Sequence, residues 1–371
     1  MNVLILTCNT GGGHNTAAAS IEEAFELRQD SCDVEDALEF ISEKVSKMFG
    51  NGHNRMYRYM PSLFNQGYKL SEQKPELLQE NSGLYRFFAL GSEKLGEYIE
   101  RGGYDLVICT HVFSAMMLSN AMKQRTLKIR TGMVSTDYTC YPGVEASNLD
   151  WYFISDESQK AAFIEKGIPE KKVVATGIPV SRRFVVSADK TSAKKTENIL
   201  SDEKHLLMMC GSMGCGPMKE LAEELVERLP KTAVLTIVCG TNEALYRKLE
   251  RKFSDNDRVR VLAYTRRIPE LMDSADLYLT KAGGLSTSEA LNKQLPMCLI
   301  QAIGGCEEYN QEYFVSGGMA VTGETPEELA TLCAELLSDE DRLAQMKERM
   351  KENNPGNAAE NIVTFLKNGE E

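Results

Sequence analysis

Leu277-Tyr278-Leu279-Thr280-Lys281-Ala282-Gly283-Gly284-Leu285-Ser286-Thr287-Ser288-Glu289 decides the fold. An apolar strand over Leu277–Thr280 runs into a glycine pair, and a helix is expected to open at about Thr287. Glycine after a buried strand lets the backbone approach a ligand, and a helix start offers N–H groups with no partner of their own. The stretch therefore suits an anion such as a diphosphate at the end of a parallel strand. Ser286 and Glu289 also have the spacing of a capping box, which needs no ligand. Both readings of Glu289 stand on these residues alone.

The same pattern recurs on either side. Upstream, strand His205–Cys210 meets the glycine turn Gly211-Ser212-Met213-Gly214 and a helical Met218–Arg228. Strand Ala233–Cys239, helix Glu243–Lys252 and strands Val259–Leu262 and Met297–Ile300 complete that half. The first half repeats it: strand Asn2–Cys8 ends at Gly11-Gly12-Gly13 and a helical Thr16–Leu27 follows. Strands Tyr104–Thr110, Ile129–Ser135, Trp151–Ser155 and Val173–Thr176 alternate there with helical Phe113–Lys123 and Glu157–Lys166. Short buried strands alternating with helices imply parallel sheets with crossover helices. The expected architecture is α/β, with two successive Rossmann-like halves. The join is expected near Gly177 and Pro179, giving domains 1–178 and 179–355, with a C-terminal helix 356–371 packing back on the first. The Lys-rich Thr191–Lys204 reads as a surface stretch.

Composition narrows the class. A length of 371 residues favours two domains, and a net charge of −12 excludes a general nucleic-acid binder. The ten cysteines include no CxxC pair, and Cys8, Cys109, Cys210 and Cys239 sit in apolar runs as small hydrophobes. No zinc site or disulfide framework is expected, which fits a reducing cytoplasm. Neither a signal peptide nor a membrane span is expected.

Gly11, Gly12 and Gly13 read equally as a tight strand–helix turn or as a binding loop; the absence of a following Lys-Ser/Thr excludes a Walker loop. His14 beside them can position or polarise a substrate near neutral pH, or serve structurally. Asp137 follows the strand Ile129–Ser135 at its C-terminal end, where α/β folds place their sites, or caps a loop.

Taken together, Val3-Leu4-Ile5-Leu6 with Gly11–His14, Ser135-Thr136-Asp137, Glu165-Lys166-Gly167-Ile168-Pro169 with Thr176–Val180, Val238–Glu243, and Ala275–Leu277 with Lys281–Leu291 resemble the diacylglycerol glycosyltransferases over nearly the whole chain. That family comprises monogalactosyl- and processive glucosyl-diacylglycerol synthases. The resemblance implies a GT-B fold, two facing Rossmann-like domains with a cleft between them, a lipid acceptor on the first and a UDP-sugar on the second. It implies that Gly283, Gly284, Leu285 and Ser286 face the diphosphate and Glu289 the ribose. Tyr264 and Ile268 would flank the uracil, and Gly211, Ser212 and Gly214 would line the cleft. His14 and Asp137 would be the catalytic pair, Asp137 taking the acceptor hydroxyl proton and His14 assisting. UDP-sugar is then a substrate, and no metal or other cofactor is expected.

Three stretches depart from the family. Where it has a histidine after the aspartate, this chain reads Tyr138-Thr139-Cys140-Tyr141-Pro142. Its Gly-Gln-Glu-Glu-x-Asn appears as Gly305-Cys306-Glu307-Glu308-Tyr309-Asn310, which removes an amide that could bond sugar hydroxyls. The preceding Gln301–Gly304 lacks the family's prolines. Glu307, Glu308, Asn310 and Gln311 remain as candidate sugar partners.

Lys44, Lys47, Arg55, Arg58 and Lys69 stand among Met48, Phe49, Met56, Tyr57, Tyr59, Met60, Phe64 and Tyr68 with no acid between them. Basic and aromatic residues together suit an anionic membrane surface, where each cation contributes about 1 kcal/mol; an ordinary helix face with core aromatics gives the same pattern. A cytoplasmic protein held peripherally at the inner face of the cell membrane is expected. Asp255-Asn256-Asp257 has the form of a metal-binding DxD but lies in a polar turn. The main reading is an inverting hexosyltransferase from UDP-sugar to a lipid, diacylglycerol foremost. The alternatives are a UDP-N-acetylhexosamine 2-epimerase, which would need several acid/base groups and no lipid segment, and a non-catalytic nucleotide-sugar-binding protein.

Overall fold

The computed structural model describes residues 1–9, 12–59, 61–80, 82–302 and 304–369; of residues 51, 53–59 and 61–64 it describes the backbone alone. The chain forms two compact units. The first is Met1–Ser181 with Ile303–Cys306 and Pro355–Glu371, and the second is Arg182–Ala302 with Glu307–Asn354. The division falls at Ser181/Arg182, against the expected 178/179.

The first unit holds one parallel six-stranded sheet of β1 (Asn2–Thr7), β2 (Ser31–Asp36), β3 (Leu106–Cys109), β4 (Arg130–Val134), β5 (Trp151–Ile154) and β6 (Val173–Ala175), in the order β2-β1-β3-β4-β5-β6. Alternation along the strands supplies a core on each face. Leu4, Leu6, Val107 and Cys109 enter one apolar cluster, and Val3, Ile5, Leu106 and Ile108 the other. Both faces being covered, the inner strands β1 and β3 are apolar nearly throughout. The second face is closed by the helix Ala358–Asn368, whose Ile362, Val363 and Leu366 pack with Ile21 and Phe25. Gly177 admits that return: its φ is +90° and a Cβ there would overlap Pro355. Arg28 pairs with Glu360 at 2.6 Å and Lys367 with Asp30 at 2.6 Å.

The second unit repeats the plan with β7 (Lys204–Met209), β8 (Ala233–Val238), β9 (Val259–Leu262), β10 (Leu277–Lys281), β11 (Met297–Ile300) and β12 (Ala320–Gly323), all parallel, in the order β12-β11-β10-β7-β8-β9. Each sheet grows outward in both directions from one strand pair, β1/β3 in the first unit and β7/β10 in the second. Neighbouring helices diverge there, so each pair is a topological switch point where a crevice opens at the C-terminal strand ends. Register keeps those ends level: Leu6 faces Cys109, and Met209 faces Thr280.

The expected surface stretch Thr191–Lys204 is mostly exposed, but it is partly helical and buries Lys194. A helix spans Lys190–Thr196, capped by Asp189, which accepts from Ser192 N–H at 3.0 Å. Lys194 is only 5% exposed; its Nζ lies 3.0 Å from Asp276 Oδ2 and donates to the Glu203 carbonyl at 2.6 Å. Lys190 reaches Asp276 Oδ1 at 3.0 Å, and His205 N–H donates to Asp276 Oδ2 at 2.9 Å. Lysine stems pack as hydrocarbon, and an aspartate far along the chain compensates their charge, so local polarity misreports burial.

Candidate functional site

Around the β1/β3 switch point, three strand ends supply the groups. The helix after β1 spans Gly12–Glu26, so Gly12 and Gly13 open it and His14 stands in its first turn; Gly11 lies outside the described residues. His14 Nδ1 is 2.7 Å from the Thr110 carbonyl, just past β3. A carbonyl only accepts, so Nδ1 carries the proton and the neutral ring has its lone pair on Nε2. Burial lowers the His14 pKa to about 4, against the Thr110 hydrogen bond, which raises it. The ring is therefore neutral at physiological pH. His111, which caps the helix Val112–Gln124 by accepting from Phe113 N–H at 3.1 Å, meets the His14 ring edge-on at 4.5 Å.

Asp137 follows β4, and its Oδ2 accepts from the Tyr141 hydroxyl at 2.5 Å. Tyr141 in turn lies 2.8 Å from Thr136 Oγ1, and Thr136 Oγ1 is 3.1 Å from His14 Nδ1. The two residues named from the sequence are thus joined through two that were not. Tyr141 sits in the very stretch where the family's histidine is missing, which was the one available signal. One oxygen of Asp137 is engaged by Tyr141, and His14 Nε2 is the unprotonated nitrogen.

Groups expected on the donor side include the turns after β7 and β10, at the second switch point. After β7, Gly211 and Gly214 have φ of +70° and +56°, and a Cβ at Gly214 would overlap the Cys239 carbonyl. The turn is clasped to the one after β8: Thr241 N–H donates to the Ser212 carbonyl at 2.9 Å and Asn242 Nδ2 to the Gly214 carbonyl at 3.0 Å. After β10 the helix spans Gly284–Asn292, with Gly283 as its N-cap and no side-chain cap bond. Its first internal bond runs from Thr287 N–H to the Gly283 carbonyl, 3.0 Å, so the N–H groups of Leu285 and Ser286 have no partner within the helix.

This start, at Gly284 rather than Thr287, removes the capping box. Ser286 is inside the helix and Glu289 lies too far along to reach back to its start. Among the described residues Glu289 has no hydrogen bond or ion pair, and burial of this largely buried carboxyl pushes its pKa up to about 8. Lys281 pairs with Glu307 and lies against Gly211 and Gly283. Asn310 is fully buried and gives its amide to the Ala282 carbonyl at 2.9 Å. Gln311 accepts from Ala302 N–H at 3.0 Å, and Glu308 is exposed. Cys306 donates to the Tyr68 hydroxyl at 3.3 Å. Tyr264, 63% exposed, follows β9, and Ile268 opens the helix Ile268–Ser274.

The basic–aromatic segment forms the helices Glu43–Tyr59 and Pro61–Gln73. Lys44, Lys47, Met48 and Lys69 are exposed, while Phe49 turns inward onto Phe87 and Phe88. The side chains of Arg55 and Arg58 lie outside the described residues. Among the described residues no helix is long and apolar enough to cross a membrane, and no group of three or more His, Cys, Asp or Glu could hold a metal ion.

Two parallel Rossmann-like units with glycine turns at both switch points are the architecture of GT-B glycosyltransferases. Solved structures agree on the fold: MurG of Acinetobacter baumannii (TM-score 0.66, 13% identity, 99% of each chain) and a UDP-GlcNAc 2-epimerase of Neisseria meningitidis bound to UDP-GlcNAc (TM-score 0.63, 17% identity, 100% of each chain). Residues 14–180 match the monogalactosyldiacylglycerol synthase model, and residues 205–362 match the glycosyltransferase family 28 C-terminal domain. The chain thus carries a monogalactosyldiacylglycerol synthase domain followed by a glycosyltransferase family 28 C-terminal domain. Processive diacylglycerol beta-glucosyltransferases resemble it at 29% identity in Bacillus subtilis (97% of this chain, 93% of the relative) and at 28% in Staphylococcus carnosus (94% and 88%).

Proposed function

We propose that the protein is an inverting transferase that moves a hexose from a UDP-sugar to a lipid hydroxyl, with diacylglycerol as the acceptor. His14 Nε2 takes the acceptor proton while the hydroxyl oxygen attacks the anomeric carbon. The bond from that carbon to the diphosphate oxygen breaks, and UDP leaves with the electron pair. The leaving diphosphate gains negative charge and meets the N–H groups of Leu285 and Ser286 at a helix N-terminus, aided by Gly283 and Gly284. Glu289 accepts the ribose hydroxyls, Tyr264 and Ile268 flank the uracil, and Gly211, Ser212 and Gly214 leave room for the phosphates. Glu307, Glu308 and Gln311 border the sugar. No metal is needed where the helix supplies the positive end, so a chelator leaves turnover intact. Lys44, Lys47 and Lys69 hold the enzyme to an anionic lipid surface, at the inner face of the cell membrane.

The observation that carries this reading is the neutral His14 imidazole, with Nδ1–H committed to Thr110 and the lone pair on Nε2. His14→Ala should retain UDP affinity and lose turnover by about 10²- to 10⁴-fold, the range of a general base. Turnover within a few-fold of the parent would remove His14 as the base.

A further inference from the structure

Thr136 and Tyr141 lie between His14 and Asp137, and the contacts fix the direction of every hydrogen bond linking them. An ionised carboxylate only accepts, so the Tyr141 hydroxyl, 2.5 Å from Asp137 Oδ2, donates to it. Tyr141 has one hydroxyl proton, so in its 2.8 Å contact with Thr136 it accepts and Thr136 donates. Thr136 has then spent its proton, and the 3.1 Å contact with His14 Nδ1 has the imidazole as donor. The Thr110 carbonyl, 2.7 Å from the same nitrogen, demands the same proton position independently. Thr136 is 2% exposed and Tyr141 9%, so water has little access to compete for these bonds.

We infer that Thr136 and Tyr141 form a one-way hydrogen-bond chain through which the Asp137 carboxylate polarises His14 and holds it in the base-competent tautomer. This rests on the reading of His14 as the base. When Nε2 takes the acceptor proton, positive charge develops on a ring whose burial disfavours it. The Nδ1–H bond becomes more acidic, and each donor along the chain strengthens the next, ending on a negative charge. No proton travels along the chain; the acceptor proton stays on Nε2. Moving the neutral ring's proton to Nε2 would leave the Thr110 carbonyl without its donor and turn Thr136 away from Tyr141. Both residues are positioning residues that act through His14.

Tyr141→Phe and Thr136→Val interrupt the chain with little change of shape, Asp137→Asn neutralises its end, and Thr136→Ser keeps the hydroxyl. Acceptor-dependent UDP release should fall about ten-fold in kcat for each of the first three, as for loss of a charge-linked hydrogen bond, with donor KM unchanged. Thr136→Ser should stay near the parent. The double variant Tyr141→Phe/Asp137→Asn should fall no further than its worse single, because both cut one chain. A readout without turnover uses ¹⁵N-histidine labelling: with four histidines in the chain, the His14 Nδ1–H resonance is assigned by its loss in His14→Ala. It should move upfield in Tyr141→Phe and in Asp137→Asn, and hold in Thr136→Ser. Multiplicative losses in the double variant, or a resonance unmoved by Asp137→Asn, would overturn the chain. If His14→Ala keeps turnover while the resonance still follows Asp137, the base reading falls and the chain stands. If turnover needs His14 and the resonance ignores Asp137, the chain falls and the base reading stands.

Discussion

Replacing Glu289 by glutamine separates ligand binding from stability. In the ligand-free protein this carboxyl is partly buried with no partner among the described residues, and its pKa rises from 4.5 to about 8 through burial. The folded value lies above the unfolded one. The unfolded chain therefore releases the proton near pH 4.5 while the folded chain keeps it to about pH 8, and stability falls across that window and levels off above it. At 1.36 kcal/mol per pH unit the full effect is about 5 kcal/mol. Partial exposure reduces it to about 2 kcal/mol. Glu289→Gln should thus melt several degrees higher than the parent at pH 8.5, with the difference vanishing near pH 4.5. At pH 8.5, where the carboxyl is mostly ionised, the same change replaces a charged acceptor by a neutral one, and UDP should bind about 5- to 30-fold more weakly. Thermal melts from pH 5 to 9 and calorimetric titration with UDP measure both. A capping glutamate would instead make the variant less stable throughout; that result, or unchanged UDP affinity, would refute the reasoning.

Gly214→Ala places a Cβ against the Cys239 carbonyl at a φ of +56° and should cost about 2–3 kcal/mol together with most UDP affinity, read by melting and calorimetry. Lys194→Met leaves Asp276, among the described residues, with Lys190 as its one ion-pair partner in a buried setting and should destabilise by about 3 kcal/mol in a denaturant titration. Burial raises the Asp276 pKa, but the charge of Lys190 and the bonds from His205 N–H, Lys190 and Lys194 outweigh it and hold it at about 2. That stabilisation is present above pH 3.8 and is lost as pH falls toward 2, which an acid titration followed by circular dichroism will show. Lys44→Glu/Lys47→Glu should weaken sedimentation with anionic vesicles by ten-fold or more, at about 1 kcal/mol per cation removed, and leave neutral vesicles unaffected.

Much of the molecule was legible because buried parallel strands write themselves as apolar runs. Strands such as Val259–Leu262 and Met297–Ile300, and the helix Met218–Arg228, fall where the residues place them. The edge strand Ser31–Asp36 did not, since it is half exposed and carries Asp33, Glu35 and Asp36. Helix starts on glycine were also hidden: both Gly12–Glu26 and Gly284–Asn292 begin earlier than propensity suggests, because a glycine's place in a first turn is set by tertiary fit. That shift removed the capping-box reading of Ser286 and Glu289. The contacts of Asn310 and Lys194 were hidden for a common reason: their partners, the Ala282 carbonyl and Asp276, are distant in sequence. For Tyr141 the sequence offers only the family histidine missing from its stretch, because its simultaneous contact with Thr136 and Asp137 is made by the fold.

Purified protein incubated with a panel of UDP-sugars, with and without diacylglycerol in mixed micelles, gives the most direct test. Release of UDP that requires diacylglycerol, with a glycosylated lipid as the product, is the expected result. Isomerised UDP-sugar in the absence of lipid, or UDP-sugar bound without turnover in its presence, would contradict the transfer reaction proposed for this chain.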